Sequence, residues 1–274
     1  MSPGGPAGGL RRALPPRARR PDRGRAGRWG RGLSAAPVAL RFAQRRLHHG
    51  ARLRHRTVRG ARARWPARAD AAVTCAVSYE LDWATPPGWA DAVARQPLAL
   101  LSDHAHCELK AAASAMTLIK RSSDRPGLAL RLMPLVREET EHLQRVLREL
   151  DARGAGLGED LPSPYARGLL SAARRGGPPD VVFLDSLLVS ALIELRSHER
   201  MAALADCEAL ASLAPLYRSL CEAEARHGSL FLQLARESTD ERCVAARWDE
   251  LAALEGRLIA GLPFAPRMHS GPPP

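Results

Sequence analysis

The tetrapeptide Glu139-Thr140-Glu141-His142 is the most informative stretch of the sequence, and its Glu-x-x-His pattern recurs at Glu224-Ala225-Arg226-His227. Both stretches lie inside long amphipathic helical patterns. On an α-helix, a residue and the third residue after it lie about 60° apart on one face. Each glutamate and histidine can therefore point together into the interior of a helical bundle. Carboxylates with one imidazole per metal suit iron or manganese better than thiolate-rich sites do.

Two single glutamates extend this pattern. Glu108 precedes Glu139 by 31 residues, and Glu194 precedes Glu224 by 30 residues. A dimetal site held in a helical bundle takes one further glutamate from each of two other helices. The spacing therefore predicts two metal ions held by six ligands, namely Glu108, Glu139, His142, Glu194, Glu224 and His227.

Other residues near these helix faces are candidates for supporting roles. Glu199 points about 140° away from Glu194 and is predicted to lie outside the ligand set. Tyr217 precedes Glu224 by seven residues, so it either orients a bound oxygen species or substrate or packs in the core. Four residues are candidates for holding imidazole N–H groups, namely Asp103, Asp185, Ser190 and Glu199.

The wider pattern predicts an all-α protein. Long helices are expected at about 98–121, 128–153, 180–205 and 206–237, with a short helix at 164–174 and a last one at 240–258. Asp180 is expected to cap the third long helix, while Pro134 and Pro215 either kink their helices or mark their starts. Two helix pairs joined by a long crossover indicate a ferritin-like four-helix bundle with extra flanking helices.

Charge divides the chain into two regions. The net charge is +12, but residues 1–70 contain 19 Arg and two acidic residues, which leaves 22 basic and 27 acidic residues in 71–274. Residues 1–70 are predicted to be a disordered extension, either a basic arm that binds RNA or a dispensable segment. Residues 71–274 are predicted to form the dimetal domain.

Cysteine usage and hydropathy indicate the compartment. The five cysteines form no Cys-x-x-Cys pair, which is typical of reduced thiols in the cytoplasm. No run of apolar residues approaches the length of a membrane span. We therefore expect a cytoplasmic protein, a monomer without a membrane partner.

Four stretches resemble the tRNA 2-methylthio-N6-isopentenyladenosine hydroxylases, the MiaE family: 101–116, 136–142, 193–200 and 216–227. The resemblance implies a ferritin-like di-iron monooxygenase that hydroxylates the isopentenyl side chain of the modified adenosine beside the tRNA anticodon. It also implies two iron ions held by the six glutamates and histidines named above, O2 as co-substrate, and an external electron donor of ferredoxin or reductase type.

The tRNA anticodon stem-loop is the partner that this resemblance implies. Arg174 and Arg175 lie in the crossover and are the predicted tRNA-binding residues, although ordinary solubilising charge is the alternative. Three other functions stay open from the residues alone: an iron-oxidising or iron-storage protein, a hydroxylase of another substrate such as a quinone, and a non-catalytic helical scaffold.

Overall fold

This computed structural model describes residues 79–274. Within that range it contains seven α-helices and one short 3-10 helix, which are joined by loops. The predicted disorder of residues 1–70 lies outside the described residues. The helices are α1 Trp89–Ala94, α2 Pro97–Arg121, α3 Leu128–Ala152, α4 Pro164–Ala172, α5 Pro179–Ala205, α6 Ala214–Ser238 and α7 Glu241–Gly261.

The four long helices α2, α3, α5 and α6 form the bundle. Helix α2 packs along α3, and α5 packs along α6, while α7 and the crossover helix α4 pack against each other and against α5. The connection from α3 to α5 is long and carries α4. The predicted all-α bundle with a long crossover is therefore confirmed. Within residues 79–274, none of the helices combines the length and apolarity that crossing a membrane requires.

Two predicted helix starts are wrong because prolines set them. Pro178 caps α5 and Pro179 is its first residue, so Asp180 is not the cap and instead pairs with Arg125. Helix α6 begins at Ala214 rather than near residue 206. Pro215 lies in its first turn, which confirms the alternative that this proline marks the start of the helix. Proline has no N–H and a fixed φ, which suit the first turn of a helix.

Pro134 behaves differently, because α3 continues through it. Its ring removes the hydrogen bond that residue 134 would donate to the carbonyl of Leu130. The Leu130 side chain is 82% exposed, which places this part of the helix at the surface. Water can therefore satisfy the released carbonyl, and the helix tolerates the proline.

The apolar core lies in two clusters at opposite ends of the bundle. One cluster includes Leu132, Leu188 and Trp248, and the other includes Trp89 and Leu101. Full burial of each such side chain stabilises the fold by about 1.5–3 kcal/mol. Each of the helices α2, α3, α5 and α6 also contributes a buried glutamate. Along each helix, this glutamate lies between the residues that belong to the two apolar clusters.

Two fully buried arginines on α5 hold segments that flank the bundle helices. Arg196 makes two hydrogen bonds of 2.8 Å to Glu255 of α7 and donates to the carbonyl of Trp83. Arg200 donates to the carbonyls of Met268 and Ser270 in the C-terminal tail. These contacts give a physical role to the arginines in stretch 193–200. They hold segments before α1 and after α7 against the helix that carries Glu194.

Candidate metal centre

The six predicted ligands converge in the bundle interior. One ligand atom from each of Glu108, Glu139, His142 and Glu224 lies within 4.8 Å of the others, and the same holds for Glu139, Glu194, Glu224 and His227. All of these residues are buried. Glu139 and Glu224 occur in both groups, so the arrangement fits two adjacent cations that share two carboxylates.

Both histidines direct Nδ1 toward the carboxylates. His142 Nδ1 lies 3.6 Å from Glu108 Oε2 and 3.8 Å from both Glu139 Oε2 and Glu224 Oε1. His227 Nδ1 lies 2.8 Å from Glu139 Oε1. The i, i+3 spacing on α3 and α6 explains how each helix supplies a carboxylate and an imidazole at one level.

Unsatisfied polar atoms give a test of whether a metal fits. Four buried ligand atoms have no hydrogen-bond partner of suitable geometry: Glu139 Oε1, His142 Nδ1, Glu224 Oε1 and His227 Nδ1. Each such atom costs about 1–3 kcal/mol when it stays unpaired. Cations between them would provide the missing partner. A donor set of carboxylate oxygens and imidazole nitrogens fits iron or manganese.

Without a cation, ionisation of most of these buried and closely spaced carboxylates is unfavourable. Burial, together with the charges of Glu194 and Glu108, raises the pKa of Glu139 to about 12. Burial and neighbouring carboxylates also raise the pKa values of Glu194 and Glu224 well above the usual range. Burial opposes ionisation of Glu108 as well, but contacts with His104 and His142 outweigh it and lower the pKa of Glu108. Binding of metal ions would therefore displace protons from this cluster.

Sequence reasoning missed two residues that contact the ligands from outside. His104 Nε2 lies 2.6 Å from Glu108 Oε1, and both side chains are buried. Glu138 Oε2 lies 3.2 Å from His227 Nε2 and accepts a hydrogen bond from Arg226. Two features of the sequence could have indicated these residues. His104 stands one helical turn before Glu108, and Glu138 directly precedes Glu139.

Three acids that were predicted to hold imidazoles make other contacts. Glu199 accepts hydrogen bonds from Thr85 and pairs with Arg196. Asp103 accepts the backbone N–H of Met268. Asp185 pairs with two arginines, Arg174 and Arg247. The structure brings none of the three to His142 or His227, because each lies against a loop or an arginine instead.

Tyr217 contacts His104, which in turn contacts the predicted ligand Glu108. It is fully buried in the apolar cluster that contains Trp89, and burial raises the pKa of its hydroxyl. Its ring stacks on His104 with a centroid distance of 5.7 Å and an interplanar angle of 13°. Its hydroxyl has no hydrogen-bond partner among the described residues. These contacts favour core packing over direct contact with a bound oxygen species.

Comparison with known proteins gives one family match. The family model described as tRNA-(MS[2]IO[6]A)-hydroxylase (MiaE) matches residues 73–270. The chain is also similar to curated proteins called tRNA 2-(methylsulfanyl)-N(6)-isopentenyladenosine(37) hydroxylase. The relative from Pseudomonas putida is 37% identical over 189 residues, covering 69% of this chain and 91% of its own length. The relative from Salmonella typhimurium is 30% identical, covering 69% of this chain and 87% of its own length.

This chain is also similar in fold to a protein of solved structure. It is described as Protein 43 with aldehyde deformylating oxygenase activity from Synechococcus. The TM-score is 0.66 with 41% sequence identity, and the match covers 70% of this chain and 96% of that chain. The likeness supports the ferritin-like bundle predicted from the helix pattern.

Proposed function

This chain belongs to the MiaE family, and from that premise we propose that it is a di-iron monooxygenase acting on tRNA. It hydroxylates the isopentenyl side chain of 2-methylthio-N6-isopentenyladenosine beside the anticodon. The observation that carries the proposal is the convergence of four buried ligand atoms that lack a hydrogen bond of suitable geometry, at the level where two Glu-x-x-His pairs meet. The names of the relatives support the substrate.

Two overlapping ligand groups would hold the irons. Glu108, Glu139, His142 and Glu224 would bind one ion, and Glu139, Glu194, Glu224 and His227 would bind the other. A pair of iron ions supplies activation of O2, which amino-acid side chains alone do not provide. Two electrons per turnover come from outside the protein. We propose a ferredoxin or a reductase as their source.

The protein supplies a dry and oriented environment. Each of the six ligands is at most 6% exposed, so little water reaches the place where the oxidant would form, which limits wasteful side reactions. Glu138 contacts Nε2 of His227 on the solvent side. This contact fixes the ring so that Nδ1 faces the carboxylates. Glu138 also pairs with the exposed Arg226.

Nucleoside analysis tests the proposed reaction. Deletion of the gene that encodes this protein in its own organism should remove the hydroxylated nucleoside from tRNA. Its unhydroxylated precursor should accumulate. The wild-type protein, returned on a plasmid, should reverse both changes. Mass spectrometry of digested tRNA measures both nucleosides. An unchanged nucleoside profile after deletion would leave an iron-oxidising protein or a hydroxylase of another substrate as the better account.

A basic groove between α2 and α4 is the proposed contact surface for the tRNA backbone. It has a volume of about 420 Å³, and its lining includes three basic residues and one acidic residue. Lys110 forms an ion pair with the acidic residue, Asp160, which leaves Arg167 and Arg175 as the cations of the groove without a carboxylate partner in the part of the chain that the structure describes. The Arg175 guanidinium donates only to the carbonyl of Leu170, and the Arg167 guanidinium has no partner among the described residues. Both are exposed and carry no carboxylate partner. They are therefore available to bind phosphates.

Arg174, the other arginine predicted to bind tRNA, is held differently. Its backbone N–H and its guanidinium both bond to the buried Asp185. Binding to phosphate would require this ion pair to break or to be shared. The crossover is therefore anchored at Arg174, while Arg175 remains available at the groove. This contact moves the proposed tRNA surface from the predicted Arg174-Arg175 pair to Arg167 and Arg175.

Replacement of Arg167 and Arg175 with alanine should weaken tRNA binding. Each lost phosphate contact should reduce the slope of log affinity against log salt by about one, while iron content stays at the wild-type value. Filter binding across a salt series measures both the affinity and its slope. The matched control is the pair Arg95→Ala and Arg242→Ala, exposed arginines outside the groove. Equal effects of the two double variants would exclude the groove as a specific binding surface.

A further inference from the structure

We infer that His104 is a positioning residue that occupies one oxygen of Glu108 and thereby makes the two metal positions inequivalent. The inference rests on the proposed di-iron function and adds a residue to which no ligand role has been given. It predicts that one iron ion, and not the other, depends on His104.

The two oxygens of Glu108 face different partners. Oε1 lies 2.6 Å from His104 Nε2, whereas Oε2 lies 3.6 Å from His142 Nδ1 in the ligand cluster. His104 is fully buried and Glu108 is 4% exposed. Because His104 already occupies Oε1, the carboxylate is oriented to present Oε2 to a metal. Glu108 is thus set up as a ligand through one oxygen.

The surroundings of His104 fix which nitrogen donates. An ionised carboxylate only accepts hydrogen bonds, so Nε2 carries the proton in this contact. Nδ1 is buried and has no partner among the described residues, so a proton placed there would be left unsatisfied. The Tyr217 ring stacks on the imidazole and restricts its rotation. Tyr217 therefore acts on the centre by holding His104 in place.

The other single glutamate has no equivalent support. Glu194 makes its contacts with other carboxylates of the cluster, and among residues 79–274 no side chain outside the cluster bonds to it. His104 stands four residues before Glu108, and the residue four before Glu194 is Ser190. No hydrogen bond joins Ser190 to Glu194 in the described part of the chain. Glu194 can therefore offer both oxygens to its metal.

Two substitutions of similar size separate positioning from packing. In His104→Gln the side-chain amide reaches about as far as Nε2, so it can still donate to Glu108 Oε1. In His104→Asn the amide stops near the position of Nδ1 and cannot reach that oxygen. Loss of a residue that orients a ligand typically costs about 10- to 100-fold in metal affinity. We expect that loss in His104→Asn for one equivalent of iron, and near-normal affinity for the other.

The experiment combines an Fe(II) binding isotherm with Mössbauer spectroscopy of the iron-loaded full-length protein. Wild type should bind two equivalents and show two distinct Fe(II) signals. His104→Asn should weaken one equivalent and alter one signal, while His104→Gln should restore both. The matched control is His106→Asn, because His106 is also buried on α2 but bonds to the carbonyl of Gly158.

The outcomes distinguish a failure of the proposed di-iron function from a failure of the positioning role of His104. If wild type binds no iron, the proposed function fails. If wild type binds two irons and the Gln and Asn variants behave alike, or both iron signals change together, the positioning role is overturned. A general packing role would affect His104→Gln and His104→Asn equally, including the case in which neither variant folds. Restoration by glutamine alone is the result that the geometry predicts.

Discussion

Glu139→Gln is expected to reduce hydroxylation by more than about 100-fold, beyond the usual loss of about 10- to 100-fold for a residue that only orients a ligand. Glu139 belongs to both ligand groups, and its carboxylate has two anionic oxygens that can bridge two cations. An amide of the same volume has a single oxygen and no charge. Both iron positions should weaken, so the variant should retain less than one iron per chain where wild type retains about two.

Two matched variants make this result specific. Glu194→Gln changes a ligand of one group only, so it should retain about one iron per chain. Glu141→Gln alters an exposed glutamate of α3 that pairs with Arg137, and it should bind iron as wild type does. Iron analysis and tRNA hydroxylation assays are run on the same preparations. Two irons in Glu139→Gln would contradict the shared-ligand arrangement.

Glu255→Ala is expected to destabilise the fold strongly, although the residue lies outside the metal centre. Arg196 and Glu255 are fully buried and form a two-bond ion pair, and Tyr165 also donates to Glu255. Removing one partner of a buried pair costs about 3–5 kcal/mol, because the other charge is left uncompensated. The lower end of that range is expected, since Glu199 also pairs with Arg196. Folded domains are stable by only about 5–15 kcal/mol in total.

Urea denaturation at neutral pH measures this loss. The matched control is Glu237→Ala, which removes the partner of Arg131 in a partly exposed pair and should cost about 0–1 kcal/mol. Both variants should be studied without added metal, so that iron binding does not mask the difference. Similar midpoints for the two variants would show that the buried pair contributes no more than an exposed one.

The ligand arrangement could be predicted because it depends on helix register. Two i, i+3 pairs and two single glutamates at near-equal intervals define one level of a four-helix bundle. The helix pattern, with a long stretch at 154–179 between two pairs of long helices, predicted where the crossover lies. The structure brings those six side chains together. Their role as iron ligands is the proposal that the variants of Glu139 and Glu194 test.

Contacts between distant segments could not be predicted in this way. Periodicity shows which face of a helix is buried, but it does not show which loop covers that face. Arg200 binds the tail at Met268 and Ser270, and Asp185 binds Arg247 of α7. These partners are far apart in sequence and follow no repeat. The predicted supporting acids were therefore assigned to imidazoles that they do not contact.

An oxygen-18 labelling experiment shows whether the hydroxyl oxygen of the product comes from O2. Iron-loaded protein is incubated with tRNA bearing the unhydroxylated nucleoside, a chemical or ferredoxin-type reductant, and O2 labelled with oxygen-18. If the protein is an O2-dependent monooxygenase, the isopentenyl side chain gains one labelled oxygen atom, and in the converse experiment labelled water contributes none. Absence of the hydroxylated nucleoside with a two-iron protein, or a product oxygen that comes from water, would contradict it.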